Sequence, residues 1–462
     1  MKQTEVLKKK NLWKRLGIIL FWLFIWQGIQ LAVANSVLLA GPVQVARYLG
    51  FHILKADFWQ VVLLSVMRIS LGFLLAFFTG ILLGAVSFRF PFIKELLAPI
   101  IAMFKSIPVA SFVVLLLIWF GSGKLSYFCS FLVAFPNVYE SILTGLAHLD
   151  GKRKEMMEVY QVSFPKKVMY LYVPAVFPYL TNSCKTCIGM SMKSGVAAEV
   201  IGTPEFSIGE RIYMAKIYLD TPGVLGWTVV VIAISFLLER GFLWLLAKAG
   251  RAKWFLKGNG QAYDNSRQER NMVFSMEGVS KTYGTHTVLA DFNLQCTQGE
   301  IYWIAGTSGI GKTTLLKIMA GAESFQDGKI STWNQGKAMV FQECRLNDAL
   351  SAIENVMLTA GRYGNLTKET AKKELLRLLP EDSLNKPVSQ LSGGMRRRVE
   401  LVRAVTAGGK LLLLDEPFSG LDKENRDKAM AYIRENKEGK IIMITTHSRE
   451  ESLKLDGILV VL

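Results

Sequence analysis

Apolar residues recur in runs long enough to cross a bilayer through the first half of the chain, whereas the second half alternates short apolar strands with amphipathic helices. A helical crossing takes about 20 residues. Runs near 16–40, 58–88, 99–120, 124–147, 171–200 and 224–248 predict about six spans. The second and fifth are long for one crossing, which allows tilt or an interfacial stretch, and the fifth carries Lys185, Lys193 and Glu199. The first run is longer than the apolar core of a cleaved leader, and no small-residue cleavage site follows it. Residues 251–271 are polar and glycine-containing, the composition of a linker. The expected organisation is a transmembrane domain over 1–250, a linker over 251–271 and an α/β domain over 272–462.

Charge sharpens this division. The 462 residues hold 54 Lys and Arg against 37 Asp and Glu, for a net charge of +17. Residues 1–260 hold 27 basic and 12 acidic side chains, net +15, which leaves 27 and 25, net +2, for the rest. An excess seated in the apolar half argues against nucleic-acid binding. It follows the positive-inside rule instead. Basic clusters stand before the first span, at Arg89 and Lys94, at Lys152 to Lys154 with Lys166 and Lys167, and after the sixth span at Lys248 to Lys257. The intervening loops are less basic. This alternation places both termini and the α/β domain on the cytoplasmic side of a cytoplasmic (inner) membrane. The five cysteines are scattered and odd in number, so no disulfide framework is expected.

The second half carries a phosphate-binding pattern. A strand ending at Ala305 runs into Gly306-Thr307-Ser308-Gly309-Ile310-Gly311-Lys312-Thr313, and a helix opens at Thr314. This is GxxxxGK[ST] between a strand and a helix. Its glycines let successive backbone N–H groups turn toward phosphate oxygens, and the helix N-terminus adds positive partial charge. Lys312 suits β- and γ-phosphate charge, and the Thr313 hydroxyl suits Mg²⁺. A hundred residues on, four leucines lead into Asp415 and Glu416. Asp415 is placed to hold Mg²⁺ through water, and Glu416 to polarise an attacking water as general base.

Between these lies Leu391-Ser392-Gly393-Gly394-Met395, and with it the domain resembles an ABC-transporter ATPase. Further elements match that family in order: Tyr283 at the aromatic that stacks on adenine, Gln342 at the Q-loop, Ser419 to Asp422 at the D-loop and His447 at the switch histidine. The resemblance implies ATP and Mg²⁺ as cofactors, with Gln342 a sensor and Mg²⁺ or water ligand. It also implies that Ser392, Gly393 and Gly394 complete the site of a second copy, so that a two-fold homodimer holds two composite sites. There are departures. Met395 stands where Gln is more usual, and the stretch 321–340 is short, so a trimmed antiparallel subdomain is expected. The Arg396 to Arg398 run reads as a solvated helix face. The last six residues read as a strand, with no regulatory domain appended.

The segment 150–178 resembles the coupling loop of ABC importer permeases, which docks on the ATPase. Glu155 and Pro174 fall at its acidic and proline positions, Met156 and Met157 replace its alanines, and Gln161 stands at its glycine. Glutamine lacks glycine's access to positive φ, so the tight turn there is in question. Glycines and prolines from Arg68 to Pro136 are similar to those of the permeases for nitrate, sulfonates and taurine. The expected function is therefore ATP-driven import of a small solute, such as one of these anions, by alternating access in a homodimer served by a separate extracytoplasmic solute-binding protein. The alternatives are an ABC exporter, or a membrane-anchored ATPase that remodels a protein partner. Lys185 and Lys193 are candidates for an anion path, the competing readings being that they pair with Glu199 or a helix end, or snorkel.

Overall fold

The computed structural model describes residues 2–250, 273–307, 309–331, 336–360, 366–446 and 449–462. The expected linker and the candidate residues Ser308 and His447 lie outside the described residues. The chain forms two compact units, one of Met1–His148 with Val176–Arg251, the other of Leu149–Ala175 with Ala252–Leu462.

The first unit is helical. It comprises α1 (Lys2–Val33), α2 (Pro42–His52), α3 (Ala56–Arg89), α4 (Pro91–Ser106), α5 (Val109–Phe120) and α6 (Leu125–Ala147). The second unit then contributes α7 (Gly151–Val159) and α8 (Phe164–Lys167). The chain returns to the first with α9 (Val173–Gly202), α10 (Ile208–Ile217) and α11 (Thr221–Gly250). Among the described residues, α3, the stretch Ser122–Ala147 and α11 are long and apolar enough to cross a membrane. The apolar part of α1, Gly17–Val33, is shorter, and α9 interrupts its apolar residues with Lys185, Lys193 and Glu199. The predicted single helix over 99–120 is instead two, α4 and α5, bent by 105°. The cause is Pro108. The residue before a proline avoids helical geometry, and Ile107 is extended at φ −70°, ψ 126°.

Helices α3 and α6 pack closely because α3 presents Gly72, Ala76, Gly80 and Gly84 at four-residue spacing. A Cβ at Gly80 would lie 2.8 Å from Val138 Cγ1, and one at Gly84 would lie 2.7 Å from Ile142 Cβ. The Ser130 hydroxyl on α6 donates to the Ile69 carbonyl at 2.8 Å. Glu199 is fully buried and ties several helices together. It accepts from the Ser65 hydroxyl at 2.8 Å, the Ser126 hydroxyl at 3.0 Å and the Gly209 amide at 3.3 Å. These donors satisfy a carboxylate that would otherwise be costly to bury.

The second unit has two sheets. β1 (Val273–Tyr283) and β2 (His286–Thr297) form an antiparallel hairpin, joined on β1 by β4 (Asp327–Ile330). The antiparallel sheet is thus present despite the short 321–340 stretch, because the long hairpin supplies most of it. The other sheet is parallel, in the order β5 (Lys337–Val340), β6 (Leu411–Asp415), β7 (Ile441–Thr445), β3 (Ile301–Ala305), β8 (Ile458–Val461). β6 and β7 are buried along their whole length, as expected of parallel strands covered on both faces. Around the sheets lie α12 (Lys312–Ala320), α13 (Ala352–Thr359), α14 (Lys368–Leu376), α15 (Gly393–Thr406), α16 (Lys423–Glu435) and α17 (Arg449–Lys454).

Candidate functional site

β3 delivers the chain to the glycine-rich loop at the carboxyl edge of the parallel sheet, and α12 leads away from it. Gly309 at φ 83° and Gly311 at φ 116° take backbone conformations that side chains disfavour, so the tight curl depends on them. Lys312 is buried, and its ammonium folds back to donate to the Gly306 carbonyl at 2.7 Å and the Thr307 carbonyl at 3.1 Å.

Register brings the acidic pair beside this loop. β3 pairs with β7 and β7 with β6, which sets Asp415 opposite Thr445. The Thr313 hydroxyl donates to Asp415 Oδ2 at 2.8 Å, and the Thr445 hydroxyl donates to Oδ1 at 2.7 Å. A hydroxyl beside a carboxylate is a hard oxygen donor set, and it fits Mg²⁺. Glu416 follows at φ 47°, a left-handed conformation unusual for a residue with a side chain. Its amide donates to the Thr445 carbonyl at 3.2 Å and hydroxyl at 3.1 Å.

Arg397 fixes this corner and escapes the sequence reading. It is buried rather than on a solvated face. Its guanidinium donates to the carbonyls of Phe341 at 2.5 Å, Asp415 at 2.6 Å and Glu416 at 2.7 Å, and pairs with Glu400 at 3.1 Å. Glu400 in turn accepts from the Arg345 amide at 2.7 Å and lies 3.5 Å from buried Arg403. The i, i+3 and i+6 spacing of Arg397, Glu400 and Arg403 was the available signal, since it sets alternating charges on one helix stripe.

Other candidates are placed apart. Ser392 caps α15, accepting from the Met395 amide at 3.3 Å. A Cβ at Gly394 would lie 3.2 Å from the Gly420 carbonyl, so the signature segment, including exposed Gly393, sits beside the 419–422 turn. Asp422 caps α16 through the Asn425 amide at 2.8 Å, a contact that lowers its carboxyl pKa. Among the described residues, no hydrogen bond joins 392–394 to Lys312 or Thr313. Gln342 is exposed just beyond β5. Tyr283 ends β1 with its ring half-exposed, and the Lys281 ammonium, paired with Glu323 at 2.7 Å, lies 4.7 Å from the ring centroid.

The segment Leu149–Ala175 packs within the second unit. Asp150 caps α7 by accepting from the amides of Lys152 at 3.0 Å and Arg153 at 3.2 Å. Met156 and Met157 are buried in the same apolar core as Leu316 and Met339. Glu155 accepts from Arg345 Nη1 at 2.7 Å and lies 3.7 Å from Lys317 Nζ on α12. The Tyr160 hydroxyl donates to the Met339 carbonyl of β5 at 2.9 Å. Lys166 Nζ donates to the carbonyls of Met357 at 3.1 Å and Leu358 at 3.3 Å at the end of α13, and to that of Ala360 just beyond it at 2.5 Å. Burial lowers the Lys166 pKa to about 8. Lys152 pairs with Glu343 and Arg153 with Asp348 at 3.1 Å. Gln161 has φ 49°, so the left-handed turn forms without glycine. Pro174 is exposed in the first turn of α9.

Lys185 and Lys193 are both exposed on α9. They do not pair with Glu199, which Ser65, Ser126 and Gly209 hold.

Comparison with known proteins adds the following. The family model described as ABC transporter matches residues 289–419, and that of the binding-protein-dependent transport system inner membrane component matches residues 72–249. The sulfate/thiosulfate import ATP-binding protein CysA of Bacillus cereus is 36% identical over 210 residues, 41% of this chain and 59% of that protein. The aliphatic sulfonates import ATP-binding protein SsuB 1 of Paraburkholderia xenovorans is 35% identical over 210 residues, 43% of this chain and 60% of that protein. The bicarbonate transport ATP-binding protein CmpD of Synechocystis sp. is 33% identical over 216 residues, 43% of this chain and 76% of that protein. The chain therefore spans less than two thirds of the first two relatives.

Proposed function

Because the chain belongs to the ABC transporter family, we propose that it hydrolyses ATP to import a small solute, with permease and ATPase joined in one polypeptide that works as a homodimer. The observation that carries this reading is the docking of α7: Glu155 meets Arg345 and, on the phosphate helix itself, Lys317. The segment bearing it joins α6 to α9, two helices of the region that matches the permease family. A shift of α12 or the Gln342 region is thereby transmitted to the chain between those helices.

In this mechanism the base of ATP stacks on Tyr283, a contact of about 1–3 kcal/mol. Lys312 exchanges the Gly306 and Thr307 carbonyls for β- and γ-phosphate oxygens, and the amides of 306–314 cradle the rest of the chain of phosphates. Thr313, Gln342 and Asp415 hold Mg²⁺, which when bound offsets phosphate charge. Glu416, held in its strained conformation by Thr445 and Arg397, takes the proton of the attacking water, and His447 contacts the γ-phosphate. Ser392, Gly393 and Gly394 of a second copy close over the nucleotide, with Asp422 at the seam. Nucleotide clamps two copies together, and hydrolysis releases them. The permease halves then alternate access, receiving solute from a separate extracytoplasmic binding protein. The names of relatives that import sulfate, sulfonates or bicarbonate favour a small anion; a sulfonate, taurine or nitrate is the solute proposed, and exposed Lys185 and Lys193 are available to its path. We place both termini and the ATPase in the cytoplasm.

The test is ATPase activity of the reconstituted chain with candidate solute-binding proteins and their solutes. Stimulation by one such pair is expected. Activity indifferent to every pair, but raised by a non-transported protein partner, would favour a remodelling ATPase.

A further inference from the structure

The helical unit contains a cavity of about 520 Å³ between α6 and α9. It lies within the size range of small-molecule sites. Its wall is built from neutral hydrogen-bonding groups, among them Asn137, Ser141, Asn182 and Thr186, with one ionised side chain, Glu140. Lys105, in the last turn of α4 and not itself part of that wall, reaches Glu140 and pairs with it at 2.5 Å, both side chains being nearly half-exposed. Asn182 and Thr186 are exposed on α9, and the same helix face continues to Lys193. Lipid cannot satisfy such groups, so this face borders water or another protein surface.

We propose that this cavity is a solute subsite and that it selects small zwitterions. An exposed ion pair contributes little stability, so it opens at small cost. A solute with an ammonium at one end and an acid group at the other replaces one ion pair by two: its ammonium meets Glu140 and its acid group meets Lys105. The amide and hydroxyl groups of Asn137, Ser141, Asn182 and Thr186 take the remaining hydrogen bonds. A simple anion gains Lys105 but strands Glu140. A simple cation strands Lys105. The subsite rests on the import reading above and narrows it: of the solutes named there, it accepts those that carry an ammonium as well as an acid group, as taurine does, and disfavours nitrate and simple sulfonates.

The experiment uses full-length protein in nanodiscs without nucleotide and three probes that differ only in their ionised ends: taurine, isethionate and ethanolamine. Equilibrium binding is expected to favour taurine by about tenfold or more over either of the others. Glu140→Gln should invert the order toward isethionate, and Lys105→Gln toward ethanolamine, in variants whose thermal unfolding matches the parent. The opposed inversions separate recognition from structural damage, and the parent ranking needs no variant. Equal affinities for the three probes, no binding of any, or an order unmoved by both substitutions would overturn the subsite. ATP-driven uptake measured in parallel keeps the two readings apart. Uptake without the ranking removes the subsite alone, and the ranking without uptake removes the import reading alone.

Discussion

The Glu155 carboxylate accepts from Arg345 Nη1 at 2.7 Å on one oxygen and faces Lys317 Nζ at 3.7 Å on the other. One side chain of the inter-helix segment thus touches both the chain beyond β5 and the phosphate helix. Glu155→Gln leaves the buried Arg345 guanidinium short of its charged partner, a loss of about 1–3 kcal/mol. The expected result is retained basal ATPase with stimulation by solute and binding protein reduced several-fold. A variant that transports at the parental rate would show that this contact carries no coupling.

Gln161 occupies a left-handed conformation that costs an ordinary residue about 1–2 kcal/mol and a β-branched residue more. Gln161→Gly should therefore leave thermal stability equal or higher, and Gln161→Val should lower it and reduce transport. Equal melting temperatures for the two variants would contradict the importance of the turn.

Lys166 is buried and Lys440 partly buried, and desolvation lowers the pKa of each to about 8. Between pH 8 and the ordinary lysine value, the unfolded chain holds a proton that the folded chain has released. Folding is then favoured by raising the pH. For these two groups, stability is expected to climb from pH 8 to about 10. Lys166→Met should remove part of that slope and leave the carbonyls of Met357, Leu358 and Ala360 without this donor. A parental slope in the variant, read by unfolding across that range, would exclude Lys166 as a contributor.

Arg397 joins Phe341, Asp415 and Glu416 by their carbonyls and neutralises buried Glu400. Arg397→Met leaves Glu400 without this partner at a cost of about 3–5 kcal/mol. Both stability and turnover should fall, and Arg397→Lys should recover only part of each, since an ammonium cannot reproduce the fork. Full ATPase activity in the methionine variant would refute this positioning role.

What the sequence disclosed follows from how each feature is encoded. The strand into Gly306 and the helix out of Lys312 were legible because neighbouring residues specify them. The break at Pro108 was equally local, yet the apolar run across it hid the bend. Arg397 was opaque because its partners lie 56 and 18 to 19 residues away, and only the fold brings them together. Gln161 shows the converse. Intrinsic preference argued against its turn, and the packing of Met156, Met157 and Tyr160 before it and of Val162 after it imposed the turn.

The central claim is that ATP turnover at the Thr313–Asp415–Glu416 site drives solute across the membrane. Its most direct test is uptake into proteoliposomes by the parent chain and by Glu416→Gln, with bound ATP measured in both. The account predicts that the variant keeps its ATP, loses turnover by about 10²–10⁴-fold and accumulates no solute. Accumulation by the variant at the parental rate would contradict it.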